Sequence, residues 1–268
     1  MDPAVTTPLV WSEAHVRAED IAYFRGDNAW VWQVRGENAN PLSSALAFHY
    51  LKGIDRRGLL ETLPEDDLFG DFTLEIGGRT VSRDLLDSVL EIYSLERRFG
   101  VSSLSGVRVL DIGAGYGRLA HRLCAALPGV ERYYCTDAVP VSTFVCEYYL
   151  SFRGVRNASV IPLDEIEETL RRERIDVAVN IHSFSECAPQ AIEWWIGLLS
   201  RRGVPRLMIV PNRVTGAGEQ LLTNSGYDFL PILEKYGYRR VFRDPKYGEP
   251  LLQQFAPHPT WHHFLELQ

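Results

Sequence analysis

The chain has 268 residues, 46% of them apolar and 24% charged, with a formal net charge of −7 at pH 7. That length can bury a sizeable core and fits one domain with an appendage, or two small domains. The acidic balance argues against a general nucleic-acid binder, and no apolar run approaches the roughly 20 residues of a membrane helix. The start, Met1-Asp2-Pro3-Ala4-Val5, lacks the basic and apolar regions of a signal peptide, so a cytoplasmic location with no membrane partner is expected. Cys124, Cys135, Cys146 and Cys187 form no C-x-x-C pair and read as buried free thiols.

Residues 1–40 show weak periodicity, with Trp11, Phe24, Trp30 and Trp32 standing out. A helix is predicted from Leu42 to Leu51, after Pro41. The run Glu65-Asp66-Asp67 reads as a solvated loop. Phe72 to Ile76 alternates apolar and polar residues, and Gly77-Gly78 turns the chain into Arg79-Thr80-Val81, a hairpin signal. Ser82 can cap a helix that carries Leu85, Leu86, Val89, Leu90 and Tyr93 at helical spacing, and Gly100 ends it. Residues 1–100 thus form a mainly helical extension with one hairpin, expected to bind the acceptor or act as a lid. Residues 101–268 form the second unit.

From Val107 the pattern becomes βαβ. Strands are predicted at Val107 to Ile112, Glu131 to Thr136, Ser159 to Leu163, Ile175 to Ile181 and Arg206 to Val210. The helices between them run from Gly117 to Leu127, from Pro140 to Phe152, from Asp164 past Arg172, and from Pro189 to Ser200. A helix from Tyr227 to Tyr236 follows. Tyr238 to Phe242 and Trp261 to Leu267 read as a closing antiparallel hairpin with no helix between them. Alternating strands and helices give an α/β fold, a Rossmann-like parallel sheet covered on both faces.

Val109-Leu110-Asp111-Ile112-Gly113-Ala114-Gly115-Tyr116-Gly117-Arg118 is the most informative stretch. It is a buried strand, an acid at its end, three alternating glycines and a helix start. A dinucleotide fingerprint needs a glycine where Arg118 stands. Asp111 ahead of the glycines would repel a pyrophosphate and attract an ammonium group. S-adenosylmethionine (SAM) has an amino-acid end and an adenosine end but no phosphate. Asp137 ends the second strand, where an acid can accept both ribose hydroxyls. Leu163 and Asp164 end the third, where they could flank an adenine, and Asn180 and Ile181 end the fourth. Each has a plainer alternative: the glycines make a tight turn, and Asp137 and Asp164 cap helices.

These residues resemble the class I SAM-dependent methyltransferases over about 105–268. The resemblance implies a seven-stranded sheet with SAM as cofactor. Asp111, Gly113, Ala114, Gly115 and Gly117 would hold the methionine part, Asp137 with Ala138 the ribose, and Leu163, Asp164, Asn180 and Ile181 the remaining contacts. A narrower resemblance links Asp137-Ala138-Val139-Pro140 and Asn180-Ile181-His182-Ser183-Phe184-Ser185-Glu186-Cys187 to the bacterial sugar O-methyltransferases. There Cys187 replaces a usual methionine, and Asp-x-x-Pro replaces Asp-x-Pro. It implies transfer of a methyl group to a hydroxyl of a saccharide or glycosylated small molecule. A non-sugar acceptor and a non-catalytic SAM-binding protein are the alternatives, and a homodimer is compatible with each.

His182 is the best-placed titratable residue for a general base, with Glu186 orienting it or acting as base itself. Either could equally be a hydrogen-bonded loop residue. His262 and His263 point to opposite faces of the last strand and read as structural. No carboxylate cluster suggests a metal. Trp30 and Trp32 could stack on sugar rings, and Asn212 to Gly218 could form a lid.

Overall fold

The computed structural model describes residues 3–7, 11, 18–28, 31–32, 40–212 and 218–268. Trp30, the side chain of Trp32 and residues 213–217 of the expected lid lie outside the described residues. The N-terminal elements are a short helix α1 (Pro3–Thr6), a two-residue ribbon of β1 (Asp27–Asn28) and β2 (Val31–Trp32), and helices α2 (Pro41–Ile54) and α3 (Leu59–Thr62). The hairpin β3 (Thr73–Ile76) and β4 (Arg79–Ser82) follows. Gly77 and Gly78 make its turn at φ 61° and 77°, the conformation a two-residue hairpin loop requires. Helix α4 (Arg83–Phe99) begins where the Ser82 Oγ accepts the Leu85 amide at 3.0 Å, and it ends at left-handed Gly100. Both caps match the sequence reading.

The remaining elements are β5 (Val107–Ile112), α5 (Arg118–Ala126), β6 (Val130–Thr136), α6 (Pro140–Phe152), β7 (Ala158–Val160), α7 (Ile166–Arg172), β8 (Val177–Ile181), α8 (Pro189–Arg201), β9 (Arg206–Val210), α9 (Leu230–Lys235), β10 (Tyr238–Pro245), α10 (Pro250–Phe255) and β11 (Trp261–Leu267). They build a seven-stranded sheet in the order β10-β11-β9-β8-β5-β6-β7. β5 to β9 run parallel, and β10 and β11 are antiparallel additions at one edge. β7 ends at Val160 rather than Leu163, α9 starts at Leu230 rather than Tyr227, β10 runs on to Pro245, and two further details differ from the sequence reading. Helix α10 separates the last two strands; it is six residues long and fully buries none of them, too short for its Leu251, Leu252 and Phe255 to stand out as a periodic pattern. Asp164 sits exposed in a short 3₁₀ turn, Leu163–Glu165, and makes no side-chain cap.

Alternation along β5 sends Val107 and Val109 to one face of the sheet and Leu110 and Ile112 to the other. The first face packs on α2, α4 and α5, and the second on α7, α8 and α9. The first core runs without a break from Phe48 and Leu51 of α2 through Leu85 and Val89 of α4 to Val109 and Val179 in the sheet. The boundary expected near residue 100 therefore falls inside one continuous core.

Of the Glu65-Asp66-Asp67 run, read as a solvated loop, Asp67 is exposed, but Glu65 and Asp66 are held in ion pairs. Glu65 is buried and bridges Arg25 at 2.5 Å and Arg122 at 2.6 Å. Asp66 bridges Arg25 at 2.7 Å and Arg153 at 2.6 Å, while Asp71 also pairs with Arg25. Burial pushes the Glu65 carboxyl up, but the guanidiniums of Arg122 and Arg25 more than offset this and hold it at about 2. The network fastens residues 24–25 and 65–71 onto α5 and α6. Removing one partner of a buried ion network leaves an uncompensated charge, which costs about 3–5 kcal/mol. Arg25→Ala should therefore lose about that much stability in urea unfolding; a loss below about 1 kcal/mol would show that the network does not hold the segment.

Candidate functional site

Strand order reverses at β5, with β6 and β7 on one side and β8 and β9 on the other. In parallel sheets of this kind the ligand crevice lies beyond the carboxyl ends at that point. There, Gly113, Gly115 and Gly117 take φ values of 76°, 57° and 85°. A side chain at Gly113 would overlap Ser183, and a Cβ at Gly117 would lie 2.9 Å from Cys146 Sγ. The turn is also tied to β6, because Gly113 N and Ala114 N both donate to Thr136 O, at 2.9 and 3.1 Å.

Two acids line this turn. Asp137 accepts the Gly115 amide at 3.0 Å on Oδ2 and the Val139 amide at 2.9 Å on Oδ1. That fixes the carboxylate against the glycine loop, and each oxygen keeps acceptor capacity. Burial pushes the Asp137 carboxyl up to about 6, against the pull of these backbone amides. Asp111 is 3% exposed and accepts the Tyr133 hydroxyl at 2.9 Å. Burial pushes it up to about 7, opposed by that hydrogen bond and by the charge of Arg118. Arg118 itself is forked onto Glu91, with both nitrogens at 2.9 Å from its oxygens. The cradle thus offers two carboxyls that form no salt bridge among the described residues.

The turn after β8 forms the opposite wall. Asn180 is fully buried; its amide nitrogen donates to Ile112 O at 2.8 Å and Ser183 Oγ at 2.5 Å, and its oxygen accepts the Phe184 amide at 2.9 Å. It supports the cradle from behind, tying the end of β5 to the turn after β8. Ala114, Gly115, Ala138, Leu163 and Ile181, at or just after the ends of these strands, are half-buried.

His182 follows β8 at φ 69° and ψ −34°. A non-glycine residue there is strained by about 1–3 kcal/mol, a cost that persists where the surroundings fix the backbone. Here the His182 amide is held by Val210 O at 2.7 Å. Its Nδ1 is buried without a hydrogen-bond partner. Burial, followed by the positive charge of Arg83, drives the imidazole down to about 3, so it is neutral at pH 7. Glu186 accepts the Trp11 indole N–H at 2.7 Å and the Asn212 amide at 2.9 Å, and burial raises its carboxyl.

Three charged side chains, joined to one another around α4, went unread in the sequence. Arg83 and Asp87 lie one turn apart on α4, and Lys246, just after β10, donates to Asp87 at 2.6 Å. The i, i+4, i+8 row of Arg83, Asp87 and Glu91 was a readable signal of one charged stripe along α4. Nothing local marks Lys246. His262 and His263 face opposite sides; the first meets Ser94 Oγ at 2.8 Å and the second Gly218 O at 2.9 Å, both as buried structural groups. No group of three potential metal ligands occurs among the described residues, and no described helix is long and apolar enough to cross a membrane.

No family model matches the chain, and no curated protein matches its sequence. Solved structures do match its shape. A SAM dependent methyltransferase from Aquifex aeolicus, 17% identical, superposes with a TM-score of 0.52 over 66% of this chain and 90% of its own. An S-adenosylmethionine-dependent methyltransferase from Clostridium acetobutylicum, 11% identical, does so with 0.50 over 67% and 90%. The (4+2)-cyclase SpnF, 14% identical, does so with 0.50 over 83% and 93%. With the strand order above, these likenesses show that the chain has the Rossmann-like, seven-stranded methyltransferase fold.

Proposed function

We propose that this chain binds SAM and transfers its methyl group to a hydroxyl of a sugar or glycosylated metabolite. The observation that carries the cofactor is the pairing of Asp111 and Asp137 on one glycine turn. A pyrophosphate would meet two carboxylates there, whereas an ammonium and a ribose diol would meet two acceptors. The left-handed glycines suit a ligand seated close to backbone, with Gly113 leaving room for the Ser183 side chain that packs against the turn.

When bound, SAM supplies a methyl group already activated on a sulfonium centre. The chain's part is positioning and proton transfer. Asp111 would hold the ammonium, Asp137 the ribose hydroxyls, and Leu163 and Ile181 the adenosine faces. Of the two expected catalytic residues, Glu186 is the better base: burial raises its proton affinity, whereas His182 is held neutral and weakly basic. Trp11 and Asn212 fix the Glu186 carboxylate so that it can take the proton released by an acceptor hydroxyl. The sugar as acceptor is supported by the resemblance of the Asn180–Cys187 segment. SAH release from SAM across a panel of saccharides tests the whole reading. Turnover with at least one sugar is expected; tight SAM binding with no turnover on any hydroxyl would contradict it.

Asp137→Ala should weaken S-adenosylhomocysteine (SAH) binding at least tenfold by calorimetry, about 1.4 kcal/mol, the scale of lost charge-assisted hydrogen bonds. Unchanged affinity would remove Asp137 from the ribose contact. The raised carboxyls also set a pH dependence. Ligand donors need the ionised forms, and Asp111 and Asp137 protonate as pH falls through about 7 and about 6. SAH affinity should therefore rise from pH 5 to 8 and level off above. Asp111→Asn should flatten the upper part of that rise, and a wild-type affinity independent of pH would refute the role of both acids.

A further inference from the structure

Helix α6 is apolar on two sides. Val145, Cys146, Tyr149 and Leu150 are buried in the core. Phe144, Tyr148 and Phe152, spaced four residues apart, form a row on another side and are 60%, 48% and 51% exposed. A helix that is apolar all round belongs inside a core or an interface, yet no described element covers this side of α6. Tyr148 and Phe152 stack with centroids 6.3 Å apart, and Phe69 meets them edge-on at 5.9 and 5.0 Å. Phe69 holds a left-handed φ of 60°; its carbonyl accepts the Arg25 amide at 3.0 Å, and its ring stacks on Phe24 at 4.6 Å. The Arg25 network thus fixes the aromatic surface from behind. Leu68, next to Phe69, is also exposed. Exposed apolar groups elsewhere differ: Arg98 covers the Phe242 ring at 4.2 Å, and Leu251 and Phe255 stand on the short α10.

We propose that this row is the contact surface for a second copy of the chain, packed antiparallel across a twofold axis at Tyr148. The row reads the same in both directions from Tyr148, with a phenylalanine four residues away on each side. A twofold axis there sets Phe144 against the partner's Phe152, and Tyr148 against the partner's Tyr148. That is the self-complementarity an isologous contact requires. The area agrees. At about half of the roughly 200 Å² such a side chain carries, the three rings and Leu68 present about 400 Å² of apolar surface. Glu147 and Ser151, exposed on the same helix, supply a polar rim that widens it toward the ~800 Å² each partner brings to a standard interface. Charge disfavours an anionic lipid or nucleic-acid surface: the acids Asp67 and Glu147 are exposed there, and Arg153 is paired with Asp66. A surface already fixed from behind also loses little freedom on association. The dimer does not depend on SAM, but it would brace the cradle from outside. Val139, which caps α6, donates to Asp137 at 2.9 Å, and Tyr149 packs 5.0 Å from Tyr116 of the glycine turn.

Sedimentation velocity of the full chain across a dilution series tests this. Wild type should sediment at twice the mass of one chain and dissociate on dilution. Tyr148→Glu, which sets two carboxylates face to face at the axis, and Phe144→Lys should each weaken the dimer at least about a hundredfold, the scale of a central contact residue. Both substitutions are at exposed positions, so the circular dichroism of wild type should be kept. Leu251→Ser on α10 should leave the dimer intact. Crosslinking with a short bismaleimide, wild type serving as the blank, locates the axis. Tyr148→Cys should give a covalent dimer by itself, and Phe144→Cys only when mixed with Phe152→Cys. A wild type that stays monomeric at every concentration overturns the proposal and leaves the row to a different partner. So does a dimer that both α6 substitutions leave intact, one that Leu251→Ser weakens equally, or a Tyr148→Cys protein that yields no covalent dimer.

Discussion

The shape of the glycine turn depends on a buried tyrosine. Tyr116, between Gly115 and Gly117, is 1% exposed; its hydroxyl donates to Asp84, and its ring packs 5.7 Å from Phe24 and 5.0 Å from Tyr149. Its partners come from α4, α6 and the segment before β1. A loop of glycines has little intrinsic preference for one conformation. Pinning its one large side chain supplies that preference. The Arg25 network then holds Phe24 in place, since the backbone beside it carries the guanidinium that Glu65, Asp66 and Asp71 surround. The N-terminal region is thereby part of the site's frame as well as a neighbour of its mouth through Trp11.

What could be read in the sequence was what depends on local neighbours. Strand β5 is a short apolar run closed by glycine, and α4 carries a serine cap, an apolar stripe and a terminal glycine. Both were predicted within a residue. The hairpin followed from alternation and a Gly-Gly turn. What escaped was set by partners far along the chain. Glu65 and Asp66 looked solvated because the guanidiniums that bury them stand at 25, 122 and 153. Lys246 meets Asp87 across 159 positions. The glycines and both acids were identifiable because strand ends fix their place. The bond from Asp137 to the Gly115 amide needed the fold.

The fold does not by itself assign the chemistry. SpnF shares it and is described as a cyclase. The case for a cofactor rests on the cradle, where burial raises two carboxyls to within reach of neutral pH. Buried acids without a paired cation destabilise a fold, and proteins concentrate such groups where ligands use them. The strained backbone of His182 and its orphaned Nδ1 lie at the same strand ends. Independent departures from ordinary packing thus converge on the end of β8, beside the glycine turn.

Calorimetric titration of the wild-type chain with SAH and, separately, with NADH tests the central claim most directly. A cradle built of Asp111, Asp137 and the glycine turn predicts one SAH bound per chain and no detectable NADH. Tighter binding of NADH, or no binding of SAH, would contradict it.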